Sequence, residues 1–318
     1  MNKIFNIREA RTEDYPAIAQ LMCDYRPDYP RTADDLRYED QHRPAHCQQQ
    51  FFVAEIKGDI IGYALYTQHA DLYQPGHFHV LVYVHDDFRY KSVGTKLYRA
   101  MFNAMATFIP EILHSRVTED NTDGIIFASK RAYMESSRRI ESRLDTATAN
   151  LDSLPERLEK LASAGIEIRS YADLIDDPER DKKLYTIHTT VDADVPMDTP
   201  VIPLPYEQWQ PNVIEHPQFL PGGTFVAIHE GQYVGISSLF QFVDDMAYVE
   251  LTGTLPDYRR RGISSALKLC GIRYAKEQKI PRVGVTNDAV NTGILAINEK
   301  LGFIPEPAII NLRLTIGH

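Results

Sequence analysis

YVELTGTLPDYRRRGISSALKLCGIRY, residues Tyr248–Tyr274, is the stretch on which the fold turns. Tyr248 to Leu255 is apolar and β-branched enough for a strand, and Pro256-Asp257 breaks it. From Ile263, the residues Ala266, Leu267, Cys270 and Tyr274 recur at helical spacing, so an amphipathic helix follows. Between strand and helix lie Arg259, Arg260, Arg261 and Gly262. That order places guanidinium groups and a bare backbone at a helix N-terminus, where unpaired N–H groups and the helix dipole attract anions. Glycine there admits a phosphate close to the main chain. Neither GxGxxG nor GxxxxGK[ST] occurs, which sets aside the common nucleotide motifs.

The pattern Arg259-x-x-Gly262-x-Ser264 resembles the acetyl-CoA-binding motif of the GNAT acetyltransferase superfamily, [QR]xxGx[GA], with Ser264 in place of the last Gly or Ala. A second motif similar to that family's is NDAVNTGILAINEKLGF, Asn287–Phe303. The resemblance implies an α/β (α+β) fold of mixed, mostly antiparallel splayed sheet flanked by helices, and acetyl-CoA as cofactor. It also implies that Arg259, Arg260, Arg261, Gly262, Ile263, Ser264 and Ser265 hold the pyrophosphate, and that Thr252, Gly253, Thr254 and Leu255 hold the pantetheine arm and carbonyl.

Other features repeat along the chain. Phe52-Val53-Ala54 with Gly58 and Gly62 matches Phe225-Val226-Ala227 with Gly231 and Gly235, an offset of 173. Phe88-Arg89 matches Tyr258-Arg259, and Asn121-Thr122 matches Asn291-Thr292, both at 170. A near-constant offset means two tandem domains of one fold. The expected layout is a first domain at 1–150, a linker helix at 151–165 and a second domain at 166–318, with a proline-stiffened insert, Asp192 to Pro211, which the family resemblance implies lines the acceptor pocket.

For chemistry, amine acetylation needs a proton acceptor near the thioester, and Glu250 is the candidate on the splayed strand, sharing a face with Tyr248 and Thr252 by simple alternation. The alternative is a solvent-facing or salt-bridged glutamate; Asp244 and Asp245 are weaker candidates. Gly253 reads as the splay or as a weak point in an ordinary strand. Asn298 stands where the family often has a tyrosine that protonates the departing thiolate; asparagine can donate a hydrogen bond but supplies no proton. Asn291 is a coenzyme A contact by resemblance or a helix cap by residue type. The first domain's turn, Arg89-x-x-Ser92-x-Gly94, has serine for the close-approach glycine and Asp86 for the usual proline, so a structural or regulatory copy is expected there. This layout resembles tandem GNAT enzymes such as mycothiol synthase, in which the C-terminal domain is catalytic.

Composition bounds the rest. A chain of 318 residues, 43% hydrophobic and 25% charged, is enough for two globular domains. A formal charge of −10 argues against non-specific nucleic-acid binding, which relies on Lys and Arg against phosphate. Cys23, Cys47 and Cys270 form no metal or disulfide pattern, so no metal is expected. No apolar run approaches the ~18–20 residues of a membrane span, and the N-terminus lacks a signal-peptide core. The expectation is a cytoplasmic N-acetyltransferase acting on a small-molecule amine, without nucleic-acid or membrane partners. A non-catalytic acyl-CoA sensor and an enzyme acting on an amino-sugar thiol conjugate are the rivals.

Overall fold

The computed structural model describes residues 5–27, 30–195, 203–243 and 245–317. Asp244 and the 196–202 part of the proline-rich insert therefore lie outside the described residues. The chain separates into two compact units, residues 1–136 with 310–318, and residues 137–309.

In the first unit β1 (Asn6–Glu9) precedes helices α1 (Tyr15–Tyr25) and α2 (Ala33–His42). A hairpin follows, β2 (Gln49–Ile56) and β3 (Asp59–Thr67), turning at Lys57 and Gly58, both at positive φ. Then come β4 (His77–Val84), α3 (Val93–Met105), β5 (Ile112–Thr118) and α4 (Thr122–Ser129). β1 to β4 pair antiparallel in sequence order, and β4 pairs β5 in parallel. Helix α3 presents Val93, Leu97, Met101 and Met105, one per turn, to Phe52, Phe78 and Val80 on one sheet face. Each fully buried Leu or Met of that row contributes roughly 1.5–3 kcal/mol. Helices α1 and α2 cover the other face with Ile18, Leu21 and Leu36 against Val53 and Tyr63.

The second unit holds β6 (Met134–Asp145, from Ser137 on), α5 (Leu154–Ser163), β7 (Ile166–Ser170), α6 (Arg180–Asp192) and α7 (Tyr206–Asn212). It continues with β8 (Phe225–His229), β9 (Gln232–Val243), β10 (Met246–Thr254), α8 (Ile263–Glu277), β11 (Arg282–Asp288), α9 (Thr292–Lys300) and β12 (Ile304–Pro305). Its sheet runs β7-β8-β9-β10-β11-β6, antiparallel except for the parallel β10–β11 pair. Helices α5 and α8 pack on one face through Leu154, Leu161, Leu267 and Cys270; α6 and α7 pack on the other through Leu184, Ile187, Val191 and Trp209. The last strand, β13 (Ile309–Thr315), follows β5 in the first unit's sheet.

This division differs from breaks at 150 and 166. Strand β6 comes from the first half of the sequence, yet residues 139–145 pair with β11, while β13 comes from the far end and completes the first unit. Helix α5, expected as a linker, buries Leu154 and Leu161 in the second unit's core. Its apolar face has a partner, and so it belongs to that unit.

Candidate active site

Strand β10 pairs with β11 only from Met246 to Val249, against Arg282 to Val285. Beyond Val249 the two strands part, and the β11 side of β10 loses its ladder. A register shift on the β9 side falls between Val249 and Thr252, which pair with Leu239 and Ser237. Three steps on β10 therefore match two on β9, a bulge at Glu250-Leu251. The bulge lies earlier than the expected Thr252-Gly253-Thr254 and corrects the simple alternation of side chains. Glu250 accepts from the Ser238 hydroxyl at 3.1 Å, whereas the Thr252 hydroxyl meets that of Ser237, on the opposite face, at 3.0 Å. Gly253 has a packing reason: a Cβ there would overlap Cγ1 of Val191 on α6.

Glu250 is the focus of this parted end. The Nε2 of His188, on α6, lies 3.5 Å from its Oε2, and Ser238 also accepts from the backbone N–H of Leu251. Packing at the strand pushes the Glu250 carboxyl upward, although its side chain stays 42% exposed, but the neighbouring His188 and the Ser238 hydroxyl hold it below the usual range. The group is thus a carboxylate at neutral pH, able to take a proton. His188 is buried, packs edge-on to Trp209 at 5.6 Å, and neither ring nitrogen has a hydrogen-bond partner among the described residues. Sequence reasoning missed His188. It shares the helical face of Leu184, Ile187 and Val191, where a single histidine carries no signal until the fold sets it against Glu250. Asp245 sits instead at the start of β10's neighbourhood, bonded to Arg282, away from Glu250.

The arginine–glycine turn joins strand to helix as expected. A 3-10 turn, Pro256–Tyr258, leads through Arg260 at φ 61° and Gly262 at φ 83° into α8. No side chain caps α8, so the first N–H groups, at Ile263, Ser264 and Ser265, have no acceptor within the helix. A Cβ on Gly262 would meet nothing within 4 Å, so the turn's own need for glycine is the left-handed φ, and the space in front of it stays open. Arg259 donates Nε to the Thr254 carbonyl at 3.3 Å and pairs with Asp194. Arg261 donates to the Asp257 carbonyl at 2.8 Å and lies over the Tyr258 ring, while Arg260 is exposed. The Leu255 amide is tied to the Val234 carbonyl.

Asn291 caps α9, its Oδ1 accepting from the Ile294 amide at 3.3 Å, which is the residue-type reading of that position. Asn298 is buried and held on both sides: its Oδ1 accepts from Lys268 Nζ at 2.6 Å and its Nδ2 donates to Asn287 Oδ1 at 2.7 Å.

The first unit contains the same frame with other contents. β4 pairs with β5 only from His77 to His79, after which Val80 to Val84 line a cavity of about 860 Å³. Tyr98, Phe127, Arg131 and Tyr133 form much of its wall. Its turn repeats the backbone of the other, with Tyr90 at φ 60° and Ser92 at φ 62°, and Arg89 Nε bonds the Val84 carbonyl at 3.3 Å. Ser92 thus adopts the left-handed conformation that Gly262 has in the other turn. Asp86 is paired with Arg89 at 2.6 Å. No register shift interrupts β4, and Val80 occupies the position that Glu250 has in β10, counted back from the carbonyl that meets the turn arginine.

Two parallel strands that part above an uncapped helix N-terminus leave an opened strand edge beside backbone N–H groups able to attract an anion. The chain belongs to the acetyltransferase (GNAT) family, whose profile matches residues 12–133 and 190–303. Acyl transfer is the chemistry of that family. Mycothiol acetyltransferase of Streptomyces coelicolor is 30% identical over 89 residues, 28% of this chain and 29% of that protein. The Streptomyces griseus protein of the same name is 28% identical over 88 residues, 27% of this chain and 29% of its own. The matched stretch is therefore less than a third of each relative. Among solved structures, a GCN5-related N-acetyltransferase from Sphaerobacter thermophilus superposes with TM-score 0.71 at 17% identity over 98% of this chain and 95% of its own. A tandem GNAT protein from the clavulanic acid biosynthesis pathway gives 0.70 at 16% over 99% of each chain. At such identities the likeness is one of fold, and the fold is the tandem one.

Proposed function

We propose that the second unit transfers an acetyl group from acetyl-CoA to a primary amine of a small molecule, directly and within a ternary complex. The observation that carries this reading is Glu250, set by a bulge at the point where β10 and β11 part and backed by buried His188. Acetyl-CoA, when bound, supplies an acetyl thioester. The turn fits its pyrophosphate: Gly262 leaves open space, Ile263 to Ser265 offer N–H groups, and Arg259 to Arg261 add positive charge. Thr252 to Leu255, on the parted strand, would run beside the pantetheine arm. Glu250 takes the proton that the amine must shed, and His188 holds the carboxylate in its ionised, oriented form. Asn298 contributes no proton.

A mycothiol-type acceptor, an amino-sugar thiol conjugate, is one member of the amine class that the partial likeness to the Streptomyces proteins supports. Among the described residues no helix is long and apolar enough to cross a membrane, and no group of three or more His, Cys, Asp or Glu is placed to hold a metal. A cytoplasmic setting is part of the proposal. A second reading rests on the first unit's cavity of about 860 Å³, which supports acyl-CoA binding there without chemistry, Val80 standing where the base would be. The test is amine-dependent release of free thiol from acetyl-CoA across a panel of amino sugars, polyamines and aminoglycosides. Turnover that Glu250→Gln removes supports the proposal; no turnover with any amine, or turnover indifferent to that change, defeats it.

A further inference from the structure

Lys268 is the most improbable residue in the second unit's core. It lies on α8, is 1% exposed, and has Asn298 as its one hydrogen-bond partner among the described residues. An ammonium has three donors, so a single amide acceptor leaves it far from satisfied. No carboxylate pairs with it among those residues; the groups that face it are Asn298 on α9, which carries no charge, and the Phe303 ring, 5.7 Å from Nζ. Burial alone pushes the amine down to about 7. An aliphatic side chain would pack there at lower cost. A residue kept against its own stability calls for a role in the cleft.

The cleft supplies one. Asn298 passes the contact on to Asn287, and Asn287 lies on β11 beyond Val285, the last residue paired with β10. It therefore borders the point where the strands part, with its side chain on the face that carries α8 and α9. With the phosphates at the α8 turn and the arm along Thr252 to Leu255, the thioester end belongs at this point. This step rests on the proposed function.

We infer that Lys268 is a positioning residue for the leaving sulfur, its buried ammonium acting through the Asn298–Asn287 amide chain to stabilise the thiolate formed there. In the transfer the amine nitrogen bonds to the acetyl carbon and the carbon–sulfur bond breaks, its electron pair staying on sulfur. The amine's surplus proton goes to Glu250 and out to water. The thiolate leaves as an anion balanced by Lys268 and takes a proton from water on release.

The test is the titration of the coenzyme A thiol bound to the intact protein, read by thiolate ultraviolet absorbance, beside kcat for acetyl transfer. Lys268→Met is expected to raise the bound thiol's pKa by roughly one unit, the size of a charge effect at this range. It lowers kcat roughly tenfold with the KM for acetyl-CoA unchanged. Asn298→Asp guards against a misfolded Met variant: it keeps the lysine but gives it a counter-charge, and should raise the thiol pKa in the same direction. If the parent protein binds coenzyme A and turns over while both variants leave the thiol titration unchanged, this inference is overturned and the proposed function stands. If the parent binds no coenzyme A, the proposed function falls and takes the inference with it.

Discussion

The two units share one frame and differ at the point where chemistry would occur. Both open a parallel strand pair, at Val80 in β4 and at Glu250 in β10, and both carry a turn with two left-handed residues and an arginine anchored on the strand's last carbonyl. In the first unit the opened strand is unbroken and lines a wide cavity with aromatic walls. In the second, a bulge redirects Glu250 toward Ser238 and His188, and a buried lysine lies behind the cleft. The turn with two left-handed residues thus survives without glycine in one unit, whereas a glutamate at the parting point of the strands stands only in the other, Val80 holding that position in the first.

The sharpest way to break that comparison is Glu250→Gln. Loss of the base should cut kcat by roughly 10²–10⁴-fold in steady-state assays, with acetyl-CoA affinity by calorimetry unchanged. Next in size is Gly262→Val, which forces a β-branched residue into φ 83° and sets a side chain before the phosphates. Cofactor binding to the second unit should weaken by about 1–3 kcal/mol, seen as loss of one calorimetric site. Gly253→Ala presses on Val191 and should lower stability in denaturant melts by ~1–3 kcal/mol. His188→Gln removes the group that holds Glu250 below its usual range, so the Glu250 pKa rises. Activity needs the carboxylate and is lost as pH falls through that pKa, so the acid limb of the pH–rate profile should move to higher pH. Smallest is Ser92→Gly in the first unit: relief of a left-handed serine should stabilise the protein by about 1 kcal/mol, leaving kcat untouched.

Much of this was legible because it is written in neighbouring residues. The break at Pro256, the arginine run, Gly262 and the helical spacing from Ile263 all lie within one stretch, and the offset of 170 between Arg89 and Arg259 revealed the repeat. What escaped depends on residues distant in sequence. A bulge is a mismatch between two strands, so alternation along β10 alone put Thr252 on the face of Glu250, when it meets Ser237 instead. His188 and Lys268 look like ordinary members of helical faces until Glu250 and Asn298 stand beside them. The unit boundaries escaped for the same reason, since β6 finds β11 and β13 follows β5 across long stretches of chain. Serine in place of glycine at 92 is legible as a type change, but that the backbone there keeps the same left-handed φ, 62°, is not.

The central claim is that the second unit performs the transfer. It is tested most directly by amine-dependent thiol release from acetyl-CoA in two matched turn variants of the intact chain, Gly262→Val and Ser92→Val. The account predicts that turnover collapses in the first and persists in the second. Turnover kept by Gly262→Val and lost by Ser92→Val would place the chemistry in the first unit and contradict it.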